Sequence, residues 1–197
     1  MISHDKKLVF IHIPKCAGSS INKAFGLKVH AGTGHAGWRG HAPFIKEGYF
    51  CFSYVRNPWD RIVSLYHYFF TMKPGHQWYG QNRNLADKVA TLDFKEFCGG
   101  LNEFQKCGWS GIHFIPACNF LRNMKNEINL DFIGRFEHIE EDFIKLCNKL
   151  GRKHEALPHT NRSQHRNYTE YYNDETREIV EAKYKKDIEH FEYKFGE

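Results

Sequence analysis

FIHIPKCAGSS, residues 10–20, is an apolar run that stops at a Pro-Lys pair and passes into small hydroxyl and glycine residues. Lys7 to Ile13 is nearly continuous in apolar, β-branched and aromatic side chains, the pattern of a strand buried on both faces of a parallel sheet. GSSINKAF, from Gly18, reads as the helix that follows. A buried strand turning sharply into a helix leaves N–H groups at the helix start pointing at one spot, where the helix dipole favours negative charge. Gly18 lets a ligand approach the backbone, Ser19 and Ser20 add hydroxyl donors, and Lys15 adds a full positive charge. These residues suit a phosphate or sulfate, although an ordinary turn with an exposed lysine would carry the same letters. The turn is no Walker A loop, because GxxxxGKS/T ends on its lysine and here Lys15 comes first.

A second turn has the same form. Tyr49 to Val55 reads as another buried strand, and NPWDRIVSLYHYFF as a helix with Asn57 as N-cap, Pro58 at the first helical position and Asp60 in the first turn. Arg56 ends the strand and Ser64 lies two turns into the helix. Both suit one anion beyond the strand's carboxyl end, where open α/β sheets bind ligands, and arginine grips phosphate oxygens with two N–H groups. The plainer alternatives are a salt bridge from Arg56 to Asp60 and a surface hydroxyl at Ser64. LDFIGRF, ending at Phe136, is a third strand, and Ile139, Phe143, Leu146 and Leu150 share a face of the next helix before Gly151 stops it. Val180, Tyr184, Ile188 and Phe191 repeat at helical spacing near the end. Alternating strands and helices predict an α/β fold with a mainly parallel sheet flanked by helices. Met72–Asp93 and Ala156–Tyr172 show no clear period and read as loops on the substrate side.

The length of 197 residues suits one domain, 1–197, that buries roughly 70% of its unfolded surface. A net charge of +5 and a pI near 8.8 favour an anionic partner without naming it. The six cysteines lack CxxC pairs and are expected as free thiols, with Cys98 and Cys107 able to pair only in an oxidising compartment. Neither His30, His35 and His41 nor His154, His159 and His165 follow a zinc spacing, so no metal is expected. The N-terminal stretch lacks a signal peptide's apolar core and no run is long enough for a membrane span, which predicts a cytoplasmic protein.

FIHIPKCAGSSI resembles the 5′-phosphosulfate loop of the carbohydrate sulfotransferases, and YVRNPWDRIVSLY their 3′-phosphate motif, in the same order. FIGRFEHIEEDF and NRSQHRNY are similar to later landmarks of that family. The resemblance implies a P-loop, nucleotide-kinase-like three-layer fold. It also implies transfer of a sulfuryl group from 3′-phosphoadenosine 5′-phosphosulfate (PAPS) to a hydroxyl, without metal. On the matching positions, Lys15, Cys16, Ala17, Gly18, Ser19 and Ser20 would hold the 5′-phosphosulfate and Arg56 and Ser64 the 3′-phosphate. Arg162, Ser163 and Arg166 would close over the nucleotide. The family usually has threonine where this chain has Cys16, a poor donor, so backbone N–H groups must compensate. The PKSGTT loop and GxxGxxK segment of aryl sulfotransferases are missing, which favours a carbohydrate or other polar acceptor. His41, in WRGHAPF, resembles the xGH segment that supplies a catalytic histidine in some uronosyl sulfotransferases. It is the expected general base, with His35 as its rival and Lys15 opposite the leaving group. A nucleotide kinase or hydrolase lacks its Walker lysine and acidic motif here, and a nucleic-acid-binding module would concentrate its basic residues on one face.

Overall fold

The computed structural model describes residues 1–28, 34–153, 156–157 and 166–197. In chain order these form β1 (Ile2–Ser3), β2 (Leu8–Ile11), α1 (Gly18–Phe25), α2 (Trp38–Lys46), β3 (Phe50–Val55), α3 (Pro58–Phe70), α4 (Tyr79–Val89), α5 (Phe94–Gly99) and α6 (Leu101–Phe104). A 3-10 helix (Gly108–Phe114), α7 (Ala117–Leu121), β4 (Phe132–Arg135), α8 (Ile139–Lys149) and α9 (Asp174–Phe191) follow, with 3-10 turns at Phe136–His138 and Tyr168–Tyr171. The chain divides into two compact units, Met1–Arg56 with Ala117–Arg162 and Asn57–Pro116 with Ser163–Glu197.

The first unit is a mixed α/β layer built on one sheet in the order β1-β2-β3-β4. β2 pairs with β3 and β3 with β4 in parallel, and β1 closes one edge antiparallel to β2. Every residue of β2 is buried, as is β3 from Cys51 onward, as the uninterrupted apolar runs predict. Ser53 is the polar exception, and its Oγ donates to the Ile11 carbonyl at 2.7 Å. Phe52 stacks on Phe10 at 5.1 Å and meets Phe25 of α1 at 5.6 Å, which in turn touches Phe143 of α8 at 5.6 Å. One aromatic cluster therefore binds sheet and helices together. Asp142 of α8 accepts the Arg135 N–H at 2.8 Å and fixes the end of β4. α1 ends where Gly26 takes a left-handed φ of 61° and its N–H returns to Asn22, while Lys6 Nζ donates to the Phe25 carbonyl at 2.7 Å.

The second unit is helical. α3 starts as the sequence predicts, with Asn57 Oδ1 accepting the Trp59 N–H at 3.1 Å, Pro58 in the first turn and Asp60 behind it. Arg61 is buried and donates to the carbonyls of His113 and Ile115, both at 3.0 Å. Phe69, Phe97, Phe104 and Phe114 form the core, and the Tyr184 hydroxyl of α9 donates to the Phe114 carbonyl at 2.9 Å. Asn173 and Thr176 make a reciprocal capping box at the start of α9.

Two expectations change. Met72–Asp93, read as a loop, contains α4, whose buried apolar face is confined to Leu85, Ala86 and Val89 and is too short to show a period in so polar a segment. The strand expected over Lys7–Ile13 pairs only over Leu8–Ile11, which leaves His12 beyond the sheet. Of Ala156–Tyr172, residues 158–165 lie outside the described residues, and Tyr168–Tyr171 is a 3-10 turn.

Gly134 in β4 generates a stability prediction. A Cβ there would stand 2.4 Å from Cε1 of the wholly buried Tyr54 ring. Gly134→Ala should therefore overpack the sheet by roughly 1–3 kcal/mol. At about 2–4 °C per kcal/mol for a chain of this size, thermal unfolding should register the loss clearly. A melting temperature equal to wild type would show that the ring yields without cost.

Candidate functional site: an anion loop at the ends of parallel strands

The loop between β2 and α1 is strained in a directed way. Lys15 and Ala17 both adopt left-handed backbone angles, φ 68° and 58°, although neither is glycine. Each such residue costs roughly 1–3 kcal/mol and persists only where the surroundings impose it, a feature concentrated at binding sites. Ala17 is the N-cap of α1 and supplies no side-chain hydrogen bond, so no side chain at that position competes for the first-turn N–H groups. In α3, by contrast, Asn57 caps the helix itself. Ser19 is exposed and Ser20 buried. The Cys16 thiol is buried and directed at the Pro14 carbonyl, 3.7 Å away, so this position offers a ligand its backbone and not its side chain. That answers the departure from threonine.

Arg56 follows β3 and comes to the same place. Its Nη1 donates to the Lys15 carbonyl at 3.1 Å, and its guanidinium lies 4.0 Å above the ring of Phe136, the residue after β4. The ends of three adjacent parallel strands thus converge on Lys15, Arg56 and Phe136. In the sequence Phe136 reads as the end of a strand, and nothing in its neighbours marks it as a platform for arginine. Burial pushes the Lys15 ammonium down to about 8, and the nearby Arg56 charge adds to the effect. Two cations held together under low solvation favour an anion between or beside them. The residues present therefore fit a phosphate or sulfate group.

The remaining site expectations separate by place. Ser64 is 3% exposed on α3 in the second unit, so it is no surface hydroxyl. Arg166 is exposed, 3.6 Å from Glu170 and over the Tyr171 ring. Arg162 and Ser163 lie outside the described residues, as do His30, His154, His159 and His165. Among the described residues no cluster of three His, Cys, Asp or Glu could hold a metal, and all six cysteines are free thiols.

His41 is wholly buried on α2. Its Nε2 is 3.1 Å from the Met1 amino nitrogen and its Nδ1 is 3.0 Å from the Gly37 carbonyl. In this conformation both ring nitrogens face protein groups. His12, which reads in the sequence as a core residue of the strand, is half-buried beyond β2, with its ring against Gly18 and 4.6 Å from that of His35. Gly18 is therefore required by an imidazole and not only by a ligand.

The chain matches the sulfotransferase family over residues 35–194, a span that holds Arg56 and Ser64 and begins after the Lys15–Ser20 loop. A protein of Archaeoglobus fulgidus, described only as uncharacterized, is 32% identical over 124 residues, which cover 62% of this chain and 84% of the relative. No solved structure matches. Among the described residues no helix is long and apolar enough to cross a membrane. A mainly parallel open sheet with flanking helices agrees with the P-loop-like fold that the match implies, and by that match over most of its length the chain belongs to the sulfotransferase family.

Proposed function

We propose that residues 1–197 act as one sulfotransferase domain that moves the sulfuryl group of PAPS to a hydroxyl of a carbohydrate or similar polar acceptor, in the cytoplasm and without metal. The observation that carries this reading is the meeting of Lys15 and Arg56 at the ends of β2 and β3, 3.1 Å apart through the Lys15 carbonyl. The α1 amino end and Lys15 hold the 5′-phosphosulfate, with Cys16, Ala17 and Gly18 contributing backbone and Ser19 and Ser20 hydroxyls. Arg56 is assigned to the 3′-phosphate together with Ser64, on the motif they share. Arg162, Ser163 and Arg166 are assigned to closure over the nucleotide, on sequence grounds alone. Lys15 stabilises the charge that grows on the nucleotide's phosphate as the sulfuryl group leaves. His41 is assigned as the general base on its resemblance to the xGH segment, and its ring is buried with Nε2 toward the Met1 amino group and Nδ1 toward the Gly37 carbonyl.

Adenosine 3′,5′-bisphosphate should raise the melting temperature with no added metal, and AMP should do so far less. A hydrogen bond to a charged group contributes about 1.5–3 kcal/mol, so Arg56→Ala should weaken the bisphosphate roughly ten- to a hundredfold. Equal binding of AMP would reject the 3′-phosphate assignment.

Lys15 sets a pH dependence. Its folded value near 8 lies below its ordinary 10.5, so between those values the unfolded chain binds more protons and stability rises with pH. Below about 8 the fold bears a half-buried cation that an anionic ligand would stabilise. Bisphosphate affinity should therefore be nearly level from about pH 7 to 8 and then fall by up to about tenfold per pH unit, as binding must first restore the proton. Lys15→Arg should remove the slope, because guanidinium stays charged. An affinity indifferent to pH between 8 and 10 in the wild type would separate Lys15 from the nucleotide.

A further inference from the structure

The sulfotransferase assignment uses no residue of the groove between α9 and the α5–α6 pair, although that groove holds a cation. We infer that it is a second ligand site, for a small organic anion whose oxyanion head meets Lys183 and Asn102 and whose apolar body lies on Leu101, Ile179 and Ala182. The inference goes beyond the proposed reaction and does not rest on it.

The groove has a volume of about 340 Å³, at the small end of the range for ligand pockets, and its lining residues all belong to the helical unit. Cys98 and Leu101 line it from α5 and α6, and Ile179 and Ala182 from α9, which gives it apolar walls. Lys183 follows Ala182 and is half-buried. Its Nζ donates to Asn102 Oδ1 at 3.0 Å and to Gln105 Oε1 at 2.7 Å. Both acceptors are neutral, so they fix the ammonium in place without balancing its charge, and the ammonium has a third hydrogen to donate. With its oxygen turned to Lys183, the Asn102 carboxamide has its own N–H groups to give to an acceptor.

The surrounding lysines differ. Lys95 of α5 pairs with Glu175 at 2.6 Å, Lys106 just beyond α6 with Glu103 at 2.7 Å, and Lys185 of α9 with Glu189 at 3.7 Å. Among the described residues no carboxylate pairs with Lys183. A second cation stands near it, since the Lys183 ammonium and the Arg61 guanidinium lie 5.7 and 5.9 Å from the centroid of the buried Tyr184 ring. Burial and the Arg61 charge together hold the Lys183 ammonium below the usual lysine range. A partly desolvated cation with neutral partners is poorly compensated, and an oxyanion supplies the missing charge. The apolar walls favour an anion with an apolar body over a bare inorganic one. Such a ligand would touch α9 and α6 at once and tie them together.

Octanoate and octyl sulfate, below the concentrations at which they form micelles, are the probes, with octanol as the control without a charge and acetate as the control without a body. Lysine acetylation of the wild-type chain by N-hydroxysuccinimide acetate, read by peptide mass spectrometry, reports occupancy residue by residue. At about ten times its Kd, an octyl anion should slow Lys183 about tenfold and leave Lys106 and Lys185 unchanged. Protection by octanoate alone, by octyl sulfate alone or by both supports the site and identifies its head group as carboxylate, sulfate or either. Equal protection by octanol or by acetate would overturn the inference, as would equal slowing of all three lysines or no slowing of Lys183 by either anion. Lys183→Met keeps the apolar stem and removes the charge. Calorimetry should show the affinity for the protecting anion falling roughly ten- to a hundredfold in that variant, with most of it retained in Lys183→Arg. An affinity equal to wild type in Lys183→Met would overturn the inference, and the acetylation pattern of the wild-type chain decides the matter should that variant not fold.

Discussion

The hydrogen bond from Arg56 to the Lys15 carbonyl joins two turns that lie 41 positions apart in the chain. It forms because β2 and β3 are neighbours and run in parallel, so that Ile11 stands opposite Ser53 and both strands release their chains at the same edge. β4 adds Phe136 at that edge by the same rule. An antiparallel partner would have sent one of the two cations to the opposite end of the sheet. The charge that a free-standing loop would lose to solvent is concentrated here by strand pairing, which the aromatic cluster of Phe10, Phe52, Phe25 and Phe143 holds in register.

That arrangement carries a cost. Lys15 and Ala17 are held in left-handed conformations, and burial together with Arg56 depresses the lysine's affinity for its proton. Under the proposed function, an anion at the amino end of α1 would offset the second of these costs, satisfying the helix dipole and keeping Lys15 charged. On that reading the sheet fixes the loop in place before a ligand arrives. The contrast with α3 is instructive, since Asn57 caps that helix from within and leaves the Arg56 side chain as the cation proposed for an anion at the second turn.

Much of the fold was legible because it depends on local rules. The run of buried apolar residues marked β2 and β3, and the Asn-Pro-x-Asp signature placed the start of α3 at the residue where it occurs. Lys15 and Arg56 were visible as cations at the ends of strands, and the parallel sheet is what brings them together. α4 was hidden because its inward apolar face is only Leu85, Ala86 and Val89, beside the buried polar Asn82, in an otherwise polar helix. The histidines were harder still. His41 sits in a motif-like segment yet is buried against the Met1 amino group, a contact 40 positions away that no spacing encodes. His12 looked like strand interior, and only the early end of β2 and the missing side chain at Gly18 turn its ring toward the loop.

A crystal structure of the protein with adenosine 3′,5′-bisphosphate tests the central claim most directly. The account predicts the 5′-phosphate at the amino end of α1, within hydrogen-bond reach of Lys15 Nζ and the N–H groups of Gly18 to Ser20, with Arg56 turned to the 3′-phosphate. A nucleotide bound away from the ends of β2 and β3, or one whose phosphates ignore Lys15, would contradict it.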